Sequence, residues 1–394
     1  MRRRFSTSAT HFLYDAVQSM RVGLDGIPLA SLKSGIGHYT FELAHALARI
    51  APTDEFQLIS PVAMTALTKD DAGDLPLNLQ AVKAKRRLSW WALGLPRYGN
   101  KNQLELFHGT NYEIPVWGRF PKILTIHDLS QLLHRETHTT AVVRRARRRL
   151  PLMAKAATMI ITATESVKHE ICEHLRVEPD KVAVTPYAAR DQFRPTSPQL
   201  NIEVKKRLGL EDEFVLFVGT IEPRKNLITL VKAFAELLLT TDLRPQLVIA
   251  GKEGWLTGEL FNYIAESDVK ERIVFLGYVS DTDLAALYSS CKAFVYPSLY
   301  EGFGLPPLEA MACGAPVITS HIPTIMETVG SAAKLVAPDD VQGLAESLAQ
   351  LLTDQEKRRQ LSSAGLQRAK EFTWEKTARA TLEVYSEALR RWGM

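Results

Sequence analysis

The chain has 394 residues, 46% hydrophobic and 23% charged, which is ordinary globular composition and excludes collagen-like, repetitive and disordered chains. That length favours two domains of about 100–200 residues each, and therefore a cleft. A formal net charge of +4 does not suggest a nucleic-acid binder, and no window approaches the ~20 apolar residues of a membrane-spanning helix.

Met1 to Ser19, MRRRFSTSATHFLYDAVQS, is rich in Arg and Ser. It has the flavour of a transit peptide or of an upstream mis-start, and we read it as a dispensable extension. From Met20 short apolar runs alternate with helical periodicity: Val22–Leu24, Gln57–Ser60, Leu104–Phe107, Lys122–Ile126 and Met159–Ala163 read as strands, the pattern of a parallel α/β domain over 20–190. A polar, proline-bearing stretch within Tyr187–Asp212 and a short helix at Ile202–Leu208 make a hinge-like linker at 191–212. The alternation then restarts over 213–371, with strands at Phe214–Val218, Gln246–Ala250, Ile273–Leu276, Ala293–Tyr296 and Pro316–Thr319. The last segment, 372–394, is an amphipathic helix with Trp374, Leu382, Tyr385 and Leu389 on one face, able to pack on either domain, including back on the first. Cys172, Cys291 and Cys313 are too few and too scattered for a disulfide framework or a metal knuckle; they read as buried thiols of a reducing compartment.

The stretch SLYEGFGLPPLEA, Ser298 to Ala310, follows a strand and opens a helix. Pro306 and Pro307 sit in its first turn, where a missing N–H is harmless. The Gly302-Phe303-Gly304-Leu305 turn therefore presents free amides and the positive end of a helix dipole, a setting for anions and hydroxyls. Taken alone, Glu309 would merely complement the dipole and Glu301 would be a loop acid. A second loop, GTIEPRKNL, carries Gly219 at a strand end with Arg224 and Lys225 before a helix starting near Asn226. Two adjacent cations suit a diphosphate, or alternatively a solvated turn. Both loops lie at the C-terminal ends of parallel strands, where open α/β sheets bind ligands.

These motifs, with LVIAGKEGW, FLGYVSDTDLAALYSSCKAFVYPSLYEGFGLPPLEAMACGAPVITS and the N-terminal SGIGHYTFELAHAL, closely resemble the GT-B, family-4 retaining glycosyltransferases, and PRKNL with HDL is similar to bacterial mannosyltransferases of polysaccharide assembly. The resemblance implies two Rossmann-like parallel-sheet domains facing a cleft, the first for the acceptor and the second for a nucleotide-sugar. It implies that Glu309 takes the ribose hydroxyls, that Arg224 and Lys225 hold the diphosphate, and that Glu301 lies beside the transferred sugar. The amides of Phe303, Gly304 and Leu305 would bind sugar hydroxyls and phosphate oxygens, and the Gly251–Trp255 loop with Tyr278, Val279 and Ser280 would surround the base. From the first domain it implies Gly35 and Gly37 near the phosphates and His127 at the donor sugar, near its 6-hydroxyl, with Asp128 orienting that loop; His108 and Asn111 are further candidates beside the acceptor. Glu301, His127, Arg224 and Lys225 are the expected catalytic set. For an isolated histidine at a strand end, a backbone-bonded core residue is the alternative.

The implied reaction moves a hexose, mannose from GDP-mannose in the leading reading, to a glycan or lipid-linked saccharide, with no cofactor, no metal and no nucleic acid. A UDP- or dTDP-sugar donor, and a non-catalytic assembly scaffold, stay as alternatives. Asp281-x-Asp283 spells a metal-binding motif of another glycosyltransferase fold, but Ser280 or Asp281 reads better as a helix cap and Asp283 as a dipole acid. Lys83, Lys85, Arg86, Arg87, Trp90 and Trp91, and the arginines of RRARRRL (Arg144 to Leu150), suit contact with anionic lipid, or a solvated helix face. The expected location is the cytoplasm, with association at the inner membrane face.

Overall fold

The structure, a computed structural model, describes residues 19–31, 35–67, 75–85 and 89–393. The expected extension, Ser19 apart, lies outside the described residues, as do Arg86 and Arg87. Seven parallel strands form the first sheet: β1 (Arg21–Asp25), β2 (Glu55–Ser60), β3 (Leu79–Lys83), β4 (Leu106–Gly109), β5 (Lys122–Thr125), β6 (Met159–Thr162) and β7 (Val182–Val184), in the order β3-β2-β1-β4-β5-β6-β7. Six more, also parallel, form the second: β8 (Phe214–Val218), β9 (Gln246–Ala250), β10 (Ile273–Gly277), β11 (Ala293–Tyr296), β12 (Val317–Ser320) and β13 (Lys334–Val336), in the order β10-β9-β8-β11-β12-β13. Central strands such as β4, β5, β9, β11 and β12 are buried at every residue, as expected where helices cover both faces.

Strand order reverses between β1 and β4 in one sheet and between β8 and β11 in the other. At such a reversal the following loops diverge to opposite faces and leave a crevice at the strand ends. The loops after β8 and β11 are the two that carry Arg224, Lys225 and Glu301, so topology alone brings these residues together.

The connection between the sheets holds a helix at Pro198–Leu208, four residues longer at its start than expected, because Ser197 caps it by accepting from the Leu200 amide. The C-terminal helix, Trp374–Trp392, buries Trp374, Ala378, Thr381, Tyr385 and Ala388. It packs against the helix Gly35–Ile50 and β5–β6 of the first sheet, and Arg391 pairs with Asp180 at 2.9 Å. Cys291 and Cys313 are buried, but Cys172 is only half-buried: it sits on the outer part of the helix Glu165–Leu175, whose inward positions are Val167 and Ile171.

Candidate functional site

A cavity of about 460 Å³ opens at the strand ends and is walled by both domains, within the size range of small-molecule sites. Its floor is a knot of charge. Glu301 meets Lys225 at 2.5 Å and Arg224 at 3.0 Å; Lys225 also donates to the Tyr296 hydroxyl at 2.6 Å, and Arg224 donates to Glu222 at 2.7 Å and to the Tyr300 carbonyl at 2.9 Å. Arg224 Nε has no hydrogen-bond partner among the described residues. Burial alone would raise the Glu301 carboxyl, but the two cations overcome it and hold the group down at about 2. Burial, aided by Arg224, lowers Lys225. The cluster is thus a set of fixed charges poised around an opening, with little to reorganise when an anion arrives.

Helix Leu305–Ala312 begins at this floor, Gly304 adopting φ +101° as its N-cap with prolines in the first turn. Phe303, Gly304 and Leu305 line the cavity. Gly302 is required by crowding: a Cβ there would lie 1.9 Å from the carbonyl oxygen of His127, across the domain boundary. Thr164 donates to the Gly302 carbonyl at 3.1 Å, the Leu129 amide to the Tyr300 hydroxyl at 3.0 Å and the Trp255 indole to the Thr137 carbonyl at 2.7 Å. The domains therefore meet around the cavity.

On the opposite wall His127 donates from Nε2 to the Thr110 carbonyl and accepts at Nδ1 from the Tyr187 hydroxyl, both at 2.8 Å. Burial lowers its pKa to about 4, so the ring is neutral. Both nitrogens are engaged within the protein, and a bond to a sugar hydroxyl would replace the one from Tyr187. Asp128 accepts from the Ser130 amide and hydroxyl at 2.9 and 2.7 Å, fixing the turn that follows.

The structure brings Glu301, Arg224, Lys225, His127, Asp128, Gly35, Gly219, Phe303, Gly304 and Leu305 to the lining of one cavity. Others stand apart. Gly37 is buried inside its helix. Gly251 lies behind the floor, where a Cβ would lie 1.9 Å from the Gly219 carbonyl. Tyr278 is 69% exposed; it, Val279 and Asn111 are not among the lining residues. Glu309 also lies outside the cavity, buried against Arg190 at 3.4 Å.

His108 corrects an expectation. Expected beside the acceptor, it is fully buried and bonds Tyr385 of the C-terminal helix at 2.8 Å and Thr125 of β5 at 2.7 Å; a strand-end side chain that alternates inward joins the core. The membrane reading changes likewise. Trp90 is buried and the half-buried Trp91 packs on Phe107, so the two do not stand out together as an interfacial pair, and Arg145 and Arg149 hold Glu113. Asp281 and Asp283 of the D-x-D spelling are taken by Arg190 and Arg207, and Ser280 caps their helix.

Sequence reasoning missed Tyr39, Tyr112, Tyr187, Glu222 and Lys252 on the cavity wall. Glu222 and Lys252 stood inside motifs already singled out. Tyr39 too stood inside one, SGIGHYTFELAHAL; Tyr112 and Tyr187 had no such motif, and the contact of all three rings with His127 is what identifies them.

Comparison with known families matches residues 199–368 to "Glycosyl transferases group 1" and residues 33–189 to "Glycosyltransferase Family 4". The O-antigen chain mannosyltransferase B of Escherichia coli is 31% identical over 91% of this chain and 97% of the relative. The MMP alpha-(1->4)-mannosyltransferase of Mycolicibacterium hassiacum is 31% identical over 61% and 56%. Among solved structures, Anabaena HepE in complex with UDP-glucose superposes with a TM-score of 0.75 at 19% identity, over 93% of this chain and 99% of that one. Sucrose-phosphate synthase of Thermosynechococcus elongatus does so with a TM-score of 0.72 at 20% identity, over 93% and 98%. At these identities the superpositions speak for the two-domain GT-B fold.

Proposed function

Because the chain belongs to the glycosyltransferases, matching group 1 and Family 4 in turn and one relative almost end to end, we propose that it transfers mannose from GDP-mannose to a glycan or lipid-linked saccharide in polysaccharide assembly, with retention and without a metal. The observation that carries this reading is Glu301 held ionised between Arg224 and Lys225, beside a helix start and inside a cavity shared by both domains. The relatives' names supply the sugar and the pathway.

Departure of a nucleoside diphosphate builds negative charge, which Arg224, Lys225 and the amides at Phe303–Leu305 are placed to meet. Glu301, already ionised, would bond sugar hydroxyls and offset the positive charge developing at the anomeric carbon. Retention by double displacement needs a carboxylate nucleophile, yet both Glu301 oxygens are held by cations. Same-face attack is the alternative, the leaving diphosphate drawing the proton from the acceptor hydroxyl. Glu309 takes the ribose hydroxyls and His127 faces the sugar.

Purified protein offered GDP-mannose, UDP-glucose and dTDP-glucose, with and without a mannosylated acceptor, should release GDP above the others, unchanged by EDTA, and give an axial product linkage by NMR. Preference for another donor overturns the sugar assignment, and a manganese requirement the metal-free one. A covalent glycosyl adduct on Glu301 would overturn same-face attack.

A membrane contact belongs to the same reading in altered form. No helix among the described residues is long and apolar enough to cross a bilayer. Arg144, Arg147 and Arg148 are exposed on the helix Thr140–Ala156, as are Val116 and Trp117 on the loop that its Arg145 and Arg149 hold through Glu113. Cations beside an exposed tryptophan favour an anionic surface. Pelleting with phosphatidylserine vesicles should fall when Arg144 and Arg147 are changed to Glu; unchanged pelleting rules this surface out.

A further inference from the structure

Glu309, the acid that the proposed function gives to the ribose, is not free: Arg190 reaches it from the connection between the domains. Arg190 is only 5% exposed. Its Nε donates to Glu309 at 3.4 Å, and its Nη1 donates to Asp281 at 2.7 Å and to His38 Nδ1 at 3.1 Å. The guanidinium also lies over the Phe193 ring, 4.5 Å from its centre. Three elements converge on one side chain: the helix Gly35–Ile50 of the first domain, through His38, and the helices Asp281–Ser290 and Leu305–Ala312 of the second. Gly35, which lines the cavity, stands three residues before His38.

A fork of fixed donors can hold three acceptors in a set geometry, which a flexible point charge cannot. We propose that Arg190 is the positioning residue for Glu309, aiming its carboxylate at the ribose hydroxyls and tying that aim to the seating of the first domain through His38. The proposal rests on the ribose reading of Glu309. Nucleotide affinity then depends on a residue that need not touch the nucleotide. Removing the fork leaves Glu309 buried without its cation, and a carboxylate so placed gains by taking up a proton. A protonated acid no longer accepts from two hydroxyls, so the interaction lost is the one with the ribose, not those with the base or phosphates.

The test compares GDP with 2′,3′-dideoxy-GDP, and UDP with 2′,3′-dideoxy-UDP, by calorimetry on the full chain, using whichever pair the wild type binds more tightly. Arg190→Gln and Glu309→Gln should each weaken the ribonucleotide by at least about tenfold while barely changing the dideoxynucleotide, and the double variant should be no worse than either single one. Arg190→Lys, which keeps the charge and loses the fork, should still lose most of the ribose preference; it carries the test if the Gln variant does not fold. Should Glu309→Gln leave the preference intact, or should the wild type show none, the ribose reading falls and this proposal with it. Should Glu309→Gln abolish the preference while Arg190 variants keep it, the ribose reading stands and the positioning role is overturned. Equal weakening of both nucleotides by the Arg190 variants also overturns it, since that marks a structural role only.

Discussion

Glu301 and Glu309 are both buried, 7% and 9% exposed, yet they sit in opposite electrostatic settings. Burial pushes both carboxyls up. At Glu301 two cations at 2.5 and 3.0 Å reverse that push and bring the group to about 2; at Glu309 a single cation at 3.4 Å does not, and the group stays at about 7, with Asp281 and Glu42 adding to the rise. Depth therefore decides little between them. The number and closeness of cations decide, as expected where unit charges a few ångströms apart interact by several kcal/mol even at an effective dielectric of about 20. The teaching is functional: one acid is locked as an anion at the cavity floor, while the other is poised between states outside it.

The sharpest way to break this contrast is Glu301→Gln. If the anion matters to the sugar-transfer step, kcat should fall roughly 10²–10³-fold, on the scale of losing one preorganised electrostatic partner, while the circular dichroism spectrum stays native. Undiminished turnover would sink the assignment and favour the scaffold alternative. Next comes Lys225→Met, which leaves Glu301 with one cation and should move it toward Glu309 in behaviour. Because the Glu301 carboxyl is depressed in the folded protein, its stabilisation is present above the ordinary carboxylate value of about 4.5 and is lost as pH falls from there toward 2. The variant should lose stability at neutral pH and show a smaller stability change between pH 4.5 and 2. A wild-type acid-unfolding profile would refute the role of Lys225.

Glu309 carries the opposite sign. Its folded carboxyl is raised from about 4.5 to about 7, so the folded state holds the extra proton in that window and loses stability as pH rises through it. Asp25, at about 7, slopes the same way, whereas His127 and His108, lowered by burial to about 4 and about 3, lose stability as pH falls below their ordinary 6.5. Only a difference isolates Glu309. Arg190, Asp281, Glu42, Tyr288 and Cys313 all face it. The melting temperature of Glu309→Gln relative to wild type should climb between pH 5 and 7.5 without ligand; a flat difference would mean that Glu309 is already ionised at pH 5.

What the sequence disclosed follows the same physics. Strands that are buried on both faces, such as β9 and β11, leave apolar runs and were legible within a residue or two. Of the edge strands, β3, β7 and β13 were not, because their apolar runs are only two or three residues long, whereas β10, also half-exposed, keeps the longer run Ile273–Leu276 and was. At the site, Arg224, Lys225 and Glu301 were legible because they stand at strand ends in GTIEPRKNL and SLYEGFGLPPLEA, stretches that resemble a known family; read alone they would have passed for a solvated turn and a loop acid. Arg190 was not: its partners lie 91, 119 and 152 positions away, and one arginine in a polar linker carries no local signal. His108 and His127 looked alike for a similar reason, both at the ends of adjacent strands, and only tertiary packing sends one to the core and the other to the cavity wall.

That last pair extends the comparison to a site with no counter-charge at all. His108 is neutral, and its Nδ1 partner is the Tyr385 hydroxyl, which joins the C-terminal helix to the first sheet. Thr125 accepts or donates on the other side and continues to Tyr39 at 3.0 Å, a residue of the cavity wall. Tyr385→Phe keeps the ring and removes the hydroxyl, leaving one buried polar nitrogen without a partner at a cost of about 1–3 kcal/mol. No ion pair is broken, so the loss should show in chemical denaturation and not in pH dependence, and kcat should stay within about twofold, since a destabilisation of this size leaves the folded population nearly complete. A large drop in kcat with unchanged stability would place the Tyr385–His108–Thr125–Tyr39 chain in the working site after all, and would erase the line drawn between the core and the cavity.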